Sequence, residues 1–141
     1  MPIEIRKLVR PLALSGFAPE YGDDFIPVWV NPSRDILSRY EQIRGDAAGL
    51  KQRLAALADE GTPDQAEAQK LGAELARVNE LLYAWYAEIW SQGEDASKHV
   101  TAENVRELSD RCEREDPALW FFLISGTWQL INDHVSYAKK G

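Results

Sequence analysis

The chain has 141 residues, 45% of them hydrophobic, and its 5 Trp, 5 Tyr and 4 Phe suit one domain with a sizeable core while excluding disorder over most of the length. With 16 Lys and Arg against 23 Asp and Glu, the net charge of −7 repels phosphate backbones, so nucleic acid is not an expected partner. No apolar run approaches the about 18 residues of a membrane span, no signal-peptide stretch opens the sequence, and Cys112 is a lone cysteine; a reducing cytoplasm is the expected location, with no membrane partner.

Residues 1 to 31 read as an extended or β segment. Ile3 and Ile5 alternate with Glu4 and Arg6, residues 15 to 24 collect Gly, Pro and Asp as a loop, and Phe25 to Val30 (FIPVWV) is β-branched and aromatic. Pro27 confines that strand to an edge, where it pairs with residues 3 to 9 or lies extended across helices, or reaches another subunit. Asn31-Pro32-Ser33 starts a helix, with Asn31 or Ser33 as the cap.

That helix runs from about 33 to 59, with apolar positions Ile36, Tyr40, Ile43, Ala47, Leu50, Leu54 and Leu57. A second seam of the same 4 and 3 spacing follows at Leu71, Leu75, Val78, Leu82, Trp85 and Ile89. Between them Gly61 suits a C′ position, Thr62 an N-cap and Pro63 the first helical position, so residues 32 to 91 form an antiparallel helical hairpin. Partners across such a turn have numbers of constant sum: Leu50 with Leu75, Ile43 with Leu82 and Tyr40 with Trp85 all sum to 125. The tip is alanine-rich and slender, and the far end is aromatic.

After a polar connection over Ser91 to Val100, Thr101 caps a short helix with Val105 and Leu108 inward. Asp116 and Pro117 then open a last helix in which Leu119, Trp120, Phe122, Leu123, Ile124, Trp128, Leu130, Ile131 and Val135 cover most of the circumference. Residues 101 to 138 therefore supply two further helices, the last of which is the natural cover for the aromatic end of the hairpin. The expected fold is mainly α, as one domain over 1 to 141.

The residues of types that carry chemistry elsewhere have plainer roles here. Cys112 lies between Arg111 and Arg114, which would lower its pKa, yet neither His99 nor His134 stands at a protease spacing, and no zinc spacing occurs. Acidic groups at Asp23-Asp24, Asp59-Glu60 with Asp64 and Glu67, and Glu113-Glu115-Asp116 lack a calcium-loop pattern and suit a solvated, helix-supporting role. Gly45 and Gly49 lie inside a helix, where they are either a close backbone approach or tolerated surface glycines, and form no phosphate loop. No cofactor, metal or catalytic set is expected, and the chain reads as a non-enzyme. The aromatics that cannot all face one seam, Tyr83, Tyr86, Trp90 and Phe121, are the candidate partner-binding residues, available also for self-association.

From Leu82 to Ile131 the chain resembles the tail assembly chaperones of long-tailed bacteriophages: an aromatic helix end (WYAEIW), a polar gap, a capped short helix (VTAENVREL) and an acidic break before an apolar final helix (DPALWFFLISGTWQLI). VWVNPSRDIL is similar to the point where such proteins pass from an extended segment to their first helix, and Lys139-Lys140 would suit the slippery codons of a programmed frameshift, or simply a helix end. The resemblance implies a non-catalytic protein that binds the tape measure protein and recruits tail tube subunits. The alternatives from the residues alone are a helical small-molecule-binding or regulatory domain using an aromatic pocket, and an acidic inhibitor or DNA mimic.

Overall fold

The N-terminal segment forms a two-stranded antiparallel sheet in the computed structural model, which describes residues 2–61, 64–91 and 100–139. β1 (Val9–Ala13) pairs with β2 (Phe25–Trp29), and Pro11 faces Pro27. The bonds from Val30 N–H to Leu8 C=O (2.9 Å) and from Leu14 N–H to Asp24 C=O (3.0 Å) set the parity of the ladder. Hydrogen-bonded pairs therefore fall at even positions of β1, and the prolines occupy a non-hydrogen-bonded pair whose N–H groups would point outward. Neither proline removes a ladder bond, and each blunts one edge.

The expected pairing of Phe25 to Val30 with residues 3 to 9 is thus shifted towards residues 9 to 13. Burial is the reason: Leu12, Val28 and Val30 reach the core, whereas Ile3 and Ile5 are 89% and 91% exposed and have no surface to cover. Asn31 does not cap a helix but ties down the preceding chain. Its side-chain oxygen accepts from Leu8 N–H (2.7 Å) and the Trp29 indole (3.0 Å), and its amide donates to Arg6 C=O (2.8 Å).

α1 (Arg34–Ala58) starts at Ser33, whose hydroxyl accepts from Ile36 N–H at 3.3 Å. α2 (Gln65–Ile89) is capped by Asp64, whose carboxylate accepts from Ala66 N–H (3.0 Å) and Glu67 N–H (3.3 Å). This corrects the capping role expected for Thr62: a carboxylate satisfies two free donors and complements the helix dipole as well. Thr62 and Pro63 themselves lie outside the described residues. Nor does Gly61 act as a left-handed stop, because α1 already ends at Ala58 with Asp59 right-handed and Glu60 N–H bonded to Leu57 C=O at 3.2 Å. Among the described residues the one positive φ is at Gly22 (58°), closing the turn over Pro19–Tyr21.

α1 and α2 pack as the expected hairpin. The seam buries Tyr40, Ile43 and Leu50 against Leu71, Val78, Trp85 and Ile89, with Leu54 and Leu57 half-buried towards the slender tip. α3 (Ala102–Glu115) begins with a capping box in which Thr101 and Asn104 exchange bonds of 3.1 Å, and it buries Val105 and Cys112. Its Arg106 reaches Glu80 on α2 at 3.0 Å. α4 (Pro117–Lys139) follows after a single residue, with Leu119 N–H bonded to Asp116 C=O at 3.1 Å. Burial along α4 is less complete than expected: Leu123, Thr127 and Ile131 are inside, but Val135 is exposed.

One core cluster joins the sheet, the hairpin and the last two helices. Gly126 lets α4 approach β1, since a Cβ there would lie 2.7 Å from Leu12 Cδ1. A Cβ at Gly45 or Gly49 would meet nothing within 4 Å, which leaves these two as surface glycines. Opposite responses are expected. Gly45→Ala and Gly49→Ala each raise stability by about 1 kcal/mol through helix propensity, while Gly126→Val, which must displace buried Leu12, lowers it by about 1–3 kcal/mol. Urea unfolding of the three variants checks the signs.

Candidate functional site

The aromatic end is built by the hairpin register and closed by α4. Tyr40 and Trp85, paired across the seam, have ring centroids 4.6 Å apart. Trp128 from α4 enters against both, 4.5 Å from Tyr40 and stacked on Trp85 at 5.4 Å with an interplanar angle of 6°. Tyr86 meets Trp85 edge-on at 5.1 Å, and Trp90 lies 5.1 Å from Tyr86 and 6.0 Å from Trp120. Such offset and edge contacts add about 0.5–1.5 kcal/mol each beyond the area they bury.

The polar tips of this cluster are spent inside it. The Trp85 indole donates to Ile36 C=O (2.9 Å), and that of Trp90 donates to Thr127 Oγ1 (2.9 Å), which in turn donates to Leu123 C=O (2.7 Å). The Trp128 indole donates to the Tyr86 hydroxyl (3.0 Å), and this hydroxyl donates to that of Tyr40 (3.4 Å). Burial, reinforced by the Tyr40 hydroxyl, pushes the Tyr86 phenol far above its ordinary value, so it stays neutral.

This geometry separates the four candidate partner-binding residues. Tyr86 and Trp90 are each only 2% exposed and belong to the core, which corrects their assignment as surface. Side chains of α4 cover them, Trp128 meeting Tyr86, and Thr127 and Trp120 meeting Trp90, while Tyr86 also meets Tyr40 of α1. Tyr83 is half-buried. Phe121 is 75% exposed on α4, and it is the candidate that remains available to a partner.

Cys112 is buried, and its thiol is pushed up by burial and then by Asp116; these outweigh Arg111, so the expected lowering by flanking arginines does not occur. His134 is exposed, and His99 lies outside the described residues. Asp23, Asp24, Asp59, Glu60, Glu113 and Glu115 are exposed, and Asp64 is occupied as a cap. Among the described residues no three His, Cys, Asp or Glu converge as a metal site, and no helix is long and apolar enough to cross a membrane.

A feature that the sequence reading missed lies beside the aromatic cluster. α1, α2 and α4 enclose a groove of about 350 Å³ whose lining includes Arg44 and Lys51. Its sequence signal is faint, two cations seven positions apart on α1 and therefore on one face. No family model matches the chain, and neither does any curated protein or solved structure.

Tyr86→Phe keeps the ring but leaves the Trp128 indole and the Tyr40 hydroxyl without their partner, at an expected cost of about 1–3 kcal/mol. The pH dependence has a defined sign. The unfolded chain ionises this phenol near pH 10 and the folded chain does not, so its contribution is whole below about pH 10 and is lost above it by about 1.4 kcal/mol per pH unit. Denaturant unfolding between neutral and alkaline pH should show that slope reduced by this amount in Tyr86→Phe.

Proposed function

We propose that the chain is a non-catalytic assembly chaperone of the phage tail type, which binds a tape measure protein and recruits tail tube subunits. The order of elements supports the reading: the aromatic end of α2, the boxed start of α3, Asp116 before Pro117 and the apolar α4 follow one another as the resemblance requires. Its non-catalytic character is supported by a core whose polar tips serve internal bonds and by a buried, neutral Cys112.

The observation that carries the reading is a third seam, on α4. Phe121, Ile124, Trp128, Ile131 and Val135 recur at spacings of 3, 4, 3 and 4. The body of the protein covers its middle, with Ile131 1% exposed, but Phe121 and Val135 at its ends are 75% and 40% exposed. A partner helix crossing α4 at an exposed end would cover Phe121 or Val135, which the body of the protein leaves open.

Co-expression of the full chain with fragments of the tape measure protein encoded beside it, and separately with the tail tube protein, tests the proposal. Co-elution is expected. Phe121→Asp is expected to abolish it while shifting stability by no more than about 0.5 kcal/mol, because the side chain is a surface one. Neighbouring genes that encode neither partner, or no complex with either, would overturn it.

A further inference from the structure

We infer that the groove between α1, α2 and α4 is a binding site for a small amphiphilic anion, a monocarboxylate with an aliphatic or aromatic body. Its apolar lining comes from Ile43 on α1, Leu82 and Tyr86 on α2, and Trp120 and Ile124 on α4. The charged and amide residues of the lining are Arg44 and Lys51 from α1 and Asn79 from α2. A mostly apolar lining with a few convergent polar groups, at about 350 Å³, falls within the range of small-ligand pockets.

Charge selects the ligand class. Two other depressions in the hairpin both contain carboxylates: one is balanced, with Asp46 and Glu74 against Arg53 and Arg77, and the other is net acidic, with Asp46 and Glu88 against Arg39. The groove beside the aromatic cluster has two cations and no carboxylate, in a chain whose net charge is −7. Arg44 and Lys51, like Arg77 and several other cations, form no ion pair among the described residues, so no carboxylate competes for them.

Arg44 is already positioned, with its guanidinium carbon 5.9 Å from the centroid of the Tyr40 ring, and a planar guanidinium suits a carboxylate fork. From Tyr40 to Lys51 the groove runs about 16 Å along α1, enough for an extended chain of medium length. α4 bounds it through Trp120 and Ile124, and this limits the space to a small molecule rather than a long helix. The site shares Ile124 with the α4 seam but uses neither Phe121 nor Val135, the exposed ends assigned to the proposed tail partner.

The test uses the full chain with decanoate below its micellar concentration, followed by titration calorimetry and by displacement of 8-anilinonaphthalene-1-sulfonate fluorescence. One decanoate per chain is expected. Decyltrimethylammonium, with the same tail and the opposite charge, should bind at least about tenfold more weakly, and Arg44→Glu with Lys51→Glu should weaken decanoate by about tenfold or more. Both substitutions are on exposed side chains, and circular dichroism verifies that folding is retained. Absence of decanoate binding, equal binding of the cationic amphiphile, or binding unchanged by the double reversal overturns the inference. If the double reversal instead abolishes a complex with a protein partner while decanoate does not bind, the groove is a protein-docking site and the inference is likewise overturned.

Discussion

The structure depends on Trp128 lying against Trp85 and Tyr40, with its indole bonded to the Tyr86 hydroxyl. At that point a side chain from α4 touches both helices of the hairpin, and the polar atoms of the three helices satisfy one another through Tyr86 and Tyr40. A buried polar group without a partner costs more than a made bond contributes, so the network tolerates one arrangement of α4 and disfavours rotated ones. Trp90, bonded to Thr127 on the same helix, adds a second fixed point. Two such anchors on one helix fix its rotation as well as its position.

The small sheet follows from that placement. Once α4 is fixed, Gly126 presents bare backbone to Leu12, and Phe122 meets Phe17 from the turn region with ring centroids 5.5 Å apart. A two-stranded ribbon alone is marginal in water. Here it is held by the helix beneath it and by Asn31, whose amide replaces the backbone partners that Leu8 N–H and Arg6 C=O would otherwise lack. The facing prolines leave the ladder intact and blunt both edges.

Periodicity revealed the hairpin because its seam is long and regular, and the constant-sum rule brought Tyr40 to Trp85. The caps Ser33 and Thr101 and the break at Asp116-Pro117 were legible for the same reason, since each is a local chemical requirement. Tyr86 and Trp90 were misread because a seam identifies only the first partner of a helix. α2 has further neighbours, and the sides of Tyr86 and Trp90 that looked free are taken by α4, in contacts between residues about 40 positions apart such as Trp90 with Thr127 and Tyr86 with Trp128. The strand register was displaced because alternation at Ile3 and Ile5 indicates a strand without indicating a buried face. The groove escaped notice for a similar reason: Arg44 and Lys51 are ordinary surface cations until Trp120 and Ile124 are placed beside them.

The cationic groove sits in an acidic protein, and the two facts act over different distances. At physiological salt the Debye length is about 8 Å, so an anion far from the surface experiences little of the net −7, whereas one inside the groove is close to Arg44 and Lys51 and partly shielded from solvent. The overall charge therefore slows the approach of anions chiefly at low ionic strength, while the local cations set how long an anion stays. On α4 the balance differs, because the exposed ends of its seam are apolar and salt acts weakly on their contacts. The two surfaces therefore differ in their response to ionic strength: contacts on Phe121 and Val135 would depend on buried apolar area, whereas the preference of the groove for an anion would depend on Arg44 and Lys51.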